Sequence, residues 1–210
     1  MLVWINGPFG GGKTQAAHEL ARRLPGSVVC DPEHVGFGLH RMTPPALRGD
    51  FQDFPAWRQG VVEVLDRTLA GHDGVVLAPM TVVEPAYFQE TVGELRERGH
   101  DVHHVALLAE RATVVRRLRE RSGGHLVQAV TGRPGSLRRE SFAMAKLDLC
   151  LERLRGAEFA AHLWTDDLTV AQVADRVAAD IGVTLLPNTD GPLRGYLRRA
   201  ATSIRHIRLF

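Results

Sequence analysis

Residues 6–15, "NGPFGGGKTQ", limit what this chain can fold into more than any other stretch. Gly7-Pro8-Phe9-Gly10-Gly11-Gly12-Lys13-Thr14 fits the pattern G-x-x-x-x-G-K-[ST] without a mismatch. The apolar run "LVWIN" (2–6) precedes it, and Ala17, Leu20, Ala21 and Leu24 follow at the spacing of one helix face. A strand, a glycine loop and a helix are the context in which this motif has meaning. The glycines let backbone N–H groups turn toward a polyphosphate, and the helix N-terminus adds a favourable dipole. Lys13 is expected to reach the β- and γ-phosphates and Thr14 to ligate Mg²⁺. Phe9, Gly10, Gly11, Gly12 and Gln15 should border the same nucleotide.

Four further apolar runs read as parallel strands buried on both faces: "SVVCD" (27–31), "GVVLA" (74–78), "VHHVALLA" (102–109) and "AHLW" (161–164). Helical patterns alternate with them. One stripe runs through Trp57, Val61, Val64, Leu65 and Leu69, another through Val170, Val173, Ala174 and Val177. With 210 residues, 44% of them hydrophobic, the chain suits one α/β domain and a single sizeable core.

Three observations bear on where a bound phosphate would go. The second strand ends in Asp31, which could accept a proton from an acceptor hydroxyl or hold a metal-bound water, with Glu33 nearby. The competing reading of Asp31 is an Asp-Pro turn. The third strand ends in Pro79-Met80-Thr81, without the carboxylate that a motor or switch ATPase would place there. After the fourth strand, "RRLRERS" carries Arg117 and Arg121, a pattern that resembles the start of the lid in nucleotide and metabolite kinases. Arg117 would stack on adenine and Arg121 point at phosphate. Arg133, Arg138, Arg139 and Lys146 lie in or just after that segment, and one or two of them should close over the transferring group. The turn "TDDL" (165–168) should border the adenine through Asp166, the alternative being that Asp167 or Thr169 caps the following helix.

Taken in order, "WINGPFGGGKTQ", "CDPEHVGFGL", "DFQDFPAWR", "LAPMTVV", "AKLDLC" and "TDDLTVAQVA" resemble the bacterial tunicamycin-resistance ATP-binding proteins over nearly the whole chain. Chloramphenicol phosphotransferase and shikimate and gluconate kinases are more distantly similar. The resemblance implies a P-loop kinase-like three-layer fold, with a five-stranded parallel sheet in the order 2-3-1-4-5. It implies a nucleotide-binding domain over 1–187, with an acceptor region near 32–60 and a lid near 117–146. ATP and Mg²⁺ would be the cofactors, and the acceptor a hydroxyl of tunicamycin or a related nucleoside. Sequestration without catalysis and an ordinary metabolic kinase stay open as alternatives. Gly11 stands where the family loop often has serine, which leaves the backbone cradle intact. The acceptor pocket should draw on Glu33, Phe51, Phe54, Trp57, Arg58 and Lys146, with Met80 and Thr81 as its floor. Trp57 also continues a core stripe, and that reading is favoured over a ligand contact. His103 and His104 lie inside a strand with no ligand spacing and read as structural.

Charge is nearly balanced at +2, which excludes the dominant basic stripe of a nucleic-acid binder. The exception is the tail at 188–210, where five arginines occur without an acid after Asp190. Leu193, Leu197, Ala200, Ile204 and Ile207 share one face there. Such a helix either lies on an anionic membrane surface through residues 193–210 or docks on its own domain. Cys30 and Cys150 read as buried free thiols in a reducing compartment. The residues after Met1 lead straight into the loop strand, and no run approaches a membrane span. The expected location is therefore cytoplasmic.

Overall fold

Five strands form one parallel sheet in the order β2-β3-β1-β4-β5. They are β1 (Leu2–Asn6), β2 (Val28–Val29), β3 (Val76–Pro79), β4 (Val102–Leu108) and β5 (His162–Trp164). The computed structural model describes residues 1–122 and 146–191, and for Arg121 and Ser122 the backbone alone. The side chain of Arg121, the arginines at 133, 138 and 139, and the tail from 192 onward lie outside the described residues.

Alternation along the central strand sets the layers. Val3 and Ile5 of β1 face one side, where α1 (Lys13–Arg23) and α8 (Val170–Asp180) pack with Ala17, Leu20, Val173 and Val177. Leu2 and Trp4 face the other side, against α3 (Pro55–Gly71) and the segment carrying α4 (Pro85–Phe88) and α5 (Glu94–Glu97). All five β1 residues, Asn6 at its end included, are sealed from solvent. Because β2 and β3 lie on one side of β1 and β4 and β5 on the other, the chain reverses direction across the carboxyl edge beside β1. Crevices that bind ligands in open α/β sheets form at this position.

Several expectations need correction. The second strand is shorter than 27–31: Cys30 still donates to Leu77 O at 2.9 Å, but Pro32 has no N–H with which to continue the ladder. The fifth is an edge strand paired only to β4, so His162 and Trp164 are exposed rather than covered on both faces. In α3, Val64 is 51% exposed and Val62 takes the inward position instead. Cys150 is buried, whereas Cys30 is half-buried.

The stretch 32–55 folds into α2 (Glu33–Met42) and two single 3₁₀ turns at Pro45–Leu47 and Phe51–Asp53. Gly36 makes their packing tight: a Cβ there would lie 2.5 Å from the Phe51 ring. The remaining helices are α6 (Arg111–Ser122) and α7, residues 146–153. Three ion pairs tie α7 to separate elements: Lys146 to Asp50, Asp148 to Arg111, and Arg153 to Glu84. Among the described residues no helix is long and apolar enough to cross a membrane.

Candidate active site

The glycine loop leaves β1 through a fixed junction. Asn6, wholly buried, accepts from Gly7 N at 2.8 Å and from Val82 N at 3.0 Å through Oδ1, and donates through Nδ2 to Val82 O at 2.8 Å. Thr81 Oγ1 donates to Gly7 O at 2.8 Å. These bonds satisfy buried backbone groups where the β1 and β3 exits meet and set the direction in which the loop departs. Asn6 was not singled out in the sequence; the signal available was a polar residue ending an otherwise apolar strand. Thr81 and Met80 were expected to floor the cleft. Thr81 instead spends its hydroxyl on the loop, and Met80 is 2% exposed within the core.

Gly10 needs both properties of glycine. Its φ is +78°, and a Cβ would lie 2.7 Å from Leu118 Cγ of α6. Gly11 N closes the turn onto Pro8 O at 2.9 Å. Gly12, at φ 92°, is the N-cap of α1 and offers no side chain to its first-turn amides. The positive end of α1 therefore opens into the loop without a side-chain cap. Lys13 is 8% exposed, and its Nζ donates to Pro8 O at 3.0 Å with the Phe9 ring 5.7 Å away. Thr14 and Gln15 continue the first turn, half-buried. A left-handed glycine N-cap and a folded-in lysine fit a polyphosphate with its Mg²⁺.

Asp31 follows β2 on the same carboxyl edge. Its Oδ1 accepts from Glu33 N at 3.0 Å and its carbonyl from His34 N at 3.1 Å, so the Asp-Pro turn is present and starts α2. Glu33 lies in the first turn of α2, where an acid suits the helix dipole. Phe51 is half-buried among Phe37, His40 and Trp57, with ring centroids 6.3, 5.4 and 5.6 Å away. Phe54 is half-buried at the N-cap of α3.

Two residues expected in the acceptor pocket are placed elsewhere. Trp57 is wholly buried and donates from its indole N–H to Pro32 O at 3.0 Å, which leaves no face for a ligand. Arg58 is 8% exposed, pairs with Glu90 at 2.6 Å, donates to Gln52 O and lies over the Tyr87 ring at 4.3 Å. It braces the 3₁₀ turn from behind. Gln52 in turn donates to Thr81 O at 3.0 Å, joining that turn to the loop junction.

On the other side of the loop, Arg117 donates to the Thr165 hydroxyl at 3.0 Å and to Thr165 O at 2.6 Å. Burial lowers its pKa and the nearby Asp166 carboxylate opposes that shift. Asp166 accepts from Glu110 N at 3.0 and 3.2 Å, fastening the β5 exit to the start of α6. Burial raises the Asp166 carboxyl, but the Thr113 hydroxyl, the Glu110 N–H and the Arg117 charge together outweigh it and hold the group below its ordinary value. Of the two capping candidates, Thr169 rather than Asp167 caps α8, in a reciprocal box with Gln172. The structure thus brings the glycine loop, Asp31, the aromatic segment and Arg117 to one edge of the sheet. His103 pairs with Asp101 at 3.1 Å and His104 bonds Ala160 O at 3.2 Å, away from that edge at the opposite end of β4.

The model of the family described as an AAA domain matches residues 2–133. No curated protein matches the chain. Among solved structures, the tunicamycin resistance protein of Deinococcus radiodurans is 34% identical, with a TM-score of 0.70 over 89% of this chain and 98% of that one. A sugar kinase from Janibacter is 19% identical, with a TM-score of 0.57 over 87% of this chain and 95% of that one. Shikimate kinase from Bacteroides thetaiotaomicron is 17% identical, with a TM-score of 0.54 over 87% and 99%. The last two similarities speak to the fold alone.

Proposed function

The chain belongs to the AAA-domain family of P-loop proteins and, within it, to the tunicamycin-resistance proteins, and from that premise we propose that it is an ATP-dependent phosphotransferase acting on a hydroxyl of tunicamycin or a related nucleoside. The observation that carries this reading is Asp31. It is a carboxylate on the carboxyl edge of the sheet, on the side of the aromatic segment, while the β3 exit beside the loop holds no acid. A hydrolase of the switch type would need an acid at β3; an enzyme that activates a bound alcohol needs one on the acceptor side.

In the reaction, the acceptor oxygen forms a bond to the terminal phosphorus as the bond to the bridging oxygen breaks. The hydroxyl proton passes to Asp31 and ADP leaves. Lys13 and the loop amides stabilise charge on the non-bridging oxygens, and Thr14 would hold the metal. Mg²⁺ would supply charge neutralisation across the phosphates. The Asp31 Oδ1 bond from Glu33 N fixes the carboxylate's orientation, so catalysis here is mostly positioning.

The test is mass spectrometry of tunicamycin incubated with the protein, ATP and Mg²⁺, beside Lys13→Ala and Asp31→Asn. The expected result is the gain of one phosphoryl group, absent with both variants, with nucleotide binding retained in Asp31→Asn. Turnover by Asp31→Asn would remove that residue from the mechanism. Unmodified drug that nevertheless binds together with ATP would replace transfer by sequestration.

A further inference from the structure

Asp50 carries no motif, yet the contacts around the loop close on it. Its Oδ1 accepts from Gln52 N at 3.1 Å and its Oδ2 takes the Lys146 ammonium at 2.6 Å. From Gln52 the chain of bonds runs to Thr81 O and from Thr81 Oγ1 to Gly7 O. From Lys146 it runs along α7, whose Leu147 and Leu151 pack with Val114 and Leu118. Leu118 is in turn the side chain against which Gly10 is fitted. These contacts form a closed ring through Gly7, Gly10, α6, α7, Asp50 and Thr81, with Lys13 inside the loop it surrounds.

Cys150, buried on α7, reports what lies within that ring. Burial raises its thiol pKa, and the charges it feels include Lys13, Lys146 and Asp50 together. The P-loop ammonium, the α7 ammonium and the Asp50 carboxylate therefore all act on one thiol. A carboxylate that holds a cation on the ring of contacts around a phosphate loop suits a second phosphate-neutralising group held in readiness.

We propose that Asp50 is a positioning residue that holds Lys146 on the ring of contacts around the glycine loop, so that Lys146 serves, with Lys13, as a second cation for the terminal phosphate of the bound nucleoside triphosphate. The proposal rests on the nucleotide-binding part of the reading above but not on tunicamycin as acceptor. The ammonium has three donors, so it can keep Asp50 while donating to a phosphate oxygen. Arg58 supports the arrangement from behind through Gln52 O.

The experiment compares affinities for AMPPNP and ADP, each with Mg²⁺, in the full chain and in Lys146→Met, Asp50→Asn, the double variant and Lys146→Arg. Because no acceptor is present, a failure to phosphorylate tunicamycin does not affect the readout. The expected outcome is that Lys146→Met loses on the order of tenfold in AMPPNP affinity and little in ADP affinity. Asp50→Asn should lose part of the same preference, the double variant should lose no more than Lys146→Met, and Lys146→Arg should retain it. An unchanged AMPPNP-to-ADP ratio in Lys146→Met, with thermal stability preserved, would make the ion pair a mere cross-link and overturn the proposal. Equal losses for AMPPNP and ADP would do the same, because a distorted loop weakens both.

Discussion

At the scale of single residues, the molecule places buried polar groups where backbone directions must be fixed, and Thr81 and His104 show two outcomes. Thr81→Val keeps the shape and removes the donor to Gly7 O, leaving a buried carbonyl at the loop root without that partner. The cost should be about 1–2 kcal/mol in urea unfolding, accompanied by weaker binding of a fluorescent ATP analogue. Unchanged affinity would mean that Asn6 alone sets the loop direction. His104 lies between the rings of Phe88 and Phe159, at 4.8 and 6.3 Å. Its Nδ1–H donates to Ala160 O, and Nε2 is buried with no partner. Burial lowers its pKa to about 4, with Arg96 and His162 adding to the shift and the Ala160 carbonyl opposing it. The unfolded chain then binds a proton that the fold refuses between about pH 6.5 and 4. Stability contributed by the neutral ring is complete above pH 6.5 and falls as pH drops toward 4, by on the order of 3 kcal/mol. Denaturation midpoints measured across that range should flatten in His104→Phe. An equal slope in both proteins would assign the acid sensitivity to other groups.

Among the elements, α2 and the 3₁₀ turn at Phe51–Asp53 pack on each other at Gly36, and Gln52 ties that turn to the root of the nucleotide loop. A methyl group at Gly36 has nowhere to go except into the Phe51 ring, which must then leave its place beside Trp57. Gly36→Ala should therefore cost about 1–3 kcal/mol and displace the acceptor segment, while the glycine loop, built on β1 and α1, keeps its form. Transfer or drug binding should fall on the order of tenfold with ADP affinity nearly unchanged, and a parallel loss of ADP affinity would show that the damage reaches the glycine loop. This division also explains which parts could be read in the sequence. The glycine loop was legible because local backbone chemistry dictates it, and β1, β3 and β4 because apolar runs of five to eight residues admit few alternatives. The roles of Trp57 and Arg58 were not legible, since an aromatic or a cation looks the same whether it faces a ligand or braces a turn. Only the tertiary position of Pro32 and Glu90, remote in sequence, distinguishes the two. Asp50 was invisible for the same reason: its partner is 96 residues away.

For the whole molecule, the distribution of charge matters more than its sum. Of 26 basic and 24 acidic residues, five arginines and no acids lie in residues 192–210, so the net +2 divides into +5 there and −3 over the rest. Near the end of the described residues, Leu186 N is bonded to Arg23 O and Asn188 to Arg22, at the C-terminal end of α1. That end of α1 is the one remote from Gly12 and the glycine loop, so a basic segment leaving from here can meet an anionic surface while the cleft at the carboxyl edge stays open. Each arginine near such a surface contributes about 1 kcal/mol, and the attraction decays within roughly 10 Å at 0.1 M salt. We therefore predict that the full chain sediments with vesicles containing anionic lipid, that a chain ending at 190 does not, and that salt releases the full chain progressively. Vesicles of neutral lipid should retain neither form. Equal sedimentation of both forms on anionic vesicles would place any membrane contact on the body, against its own net charge, and would leave the apolar face of the tail to cover the domain itself.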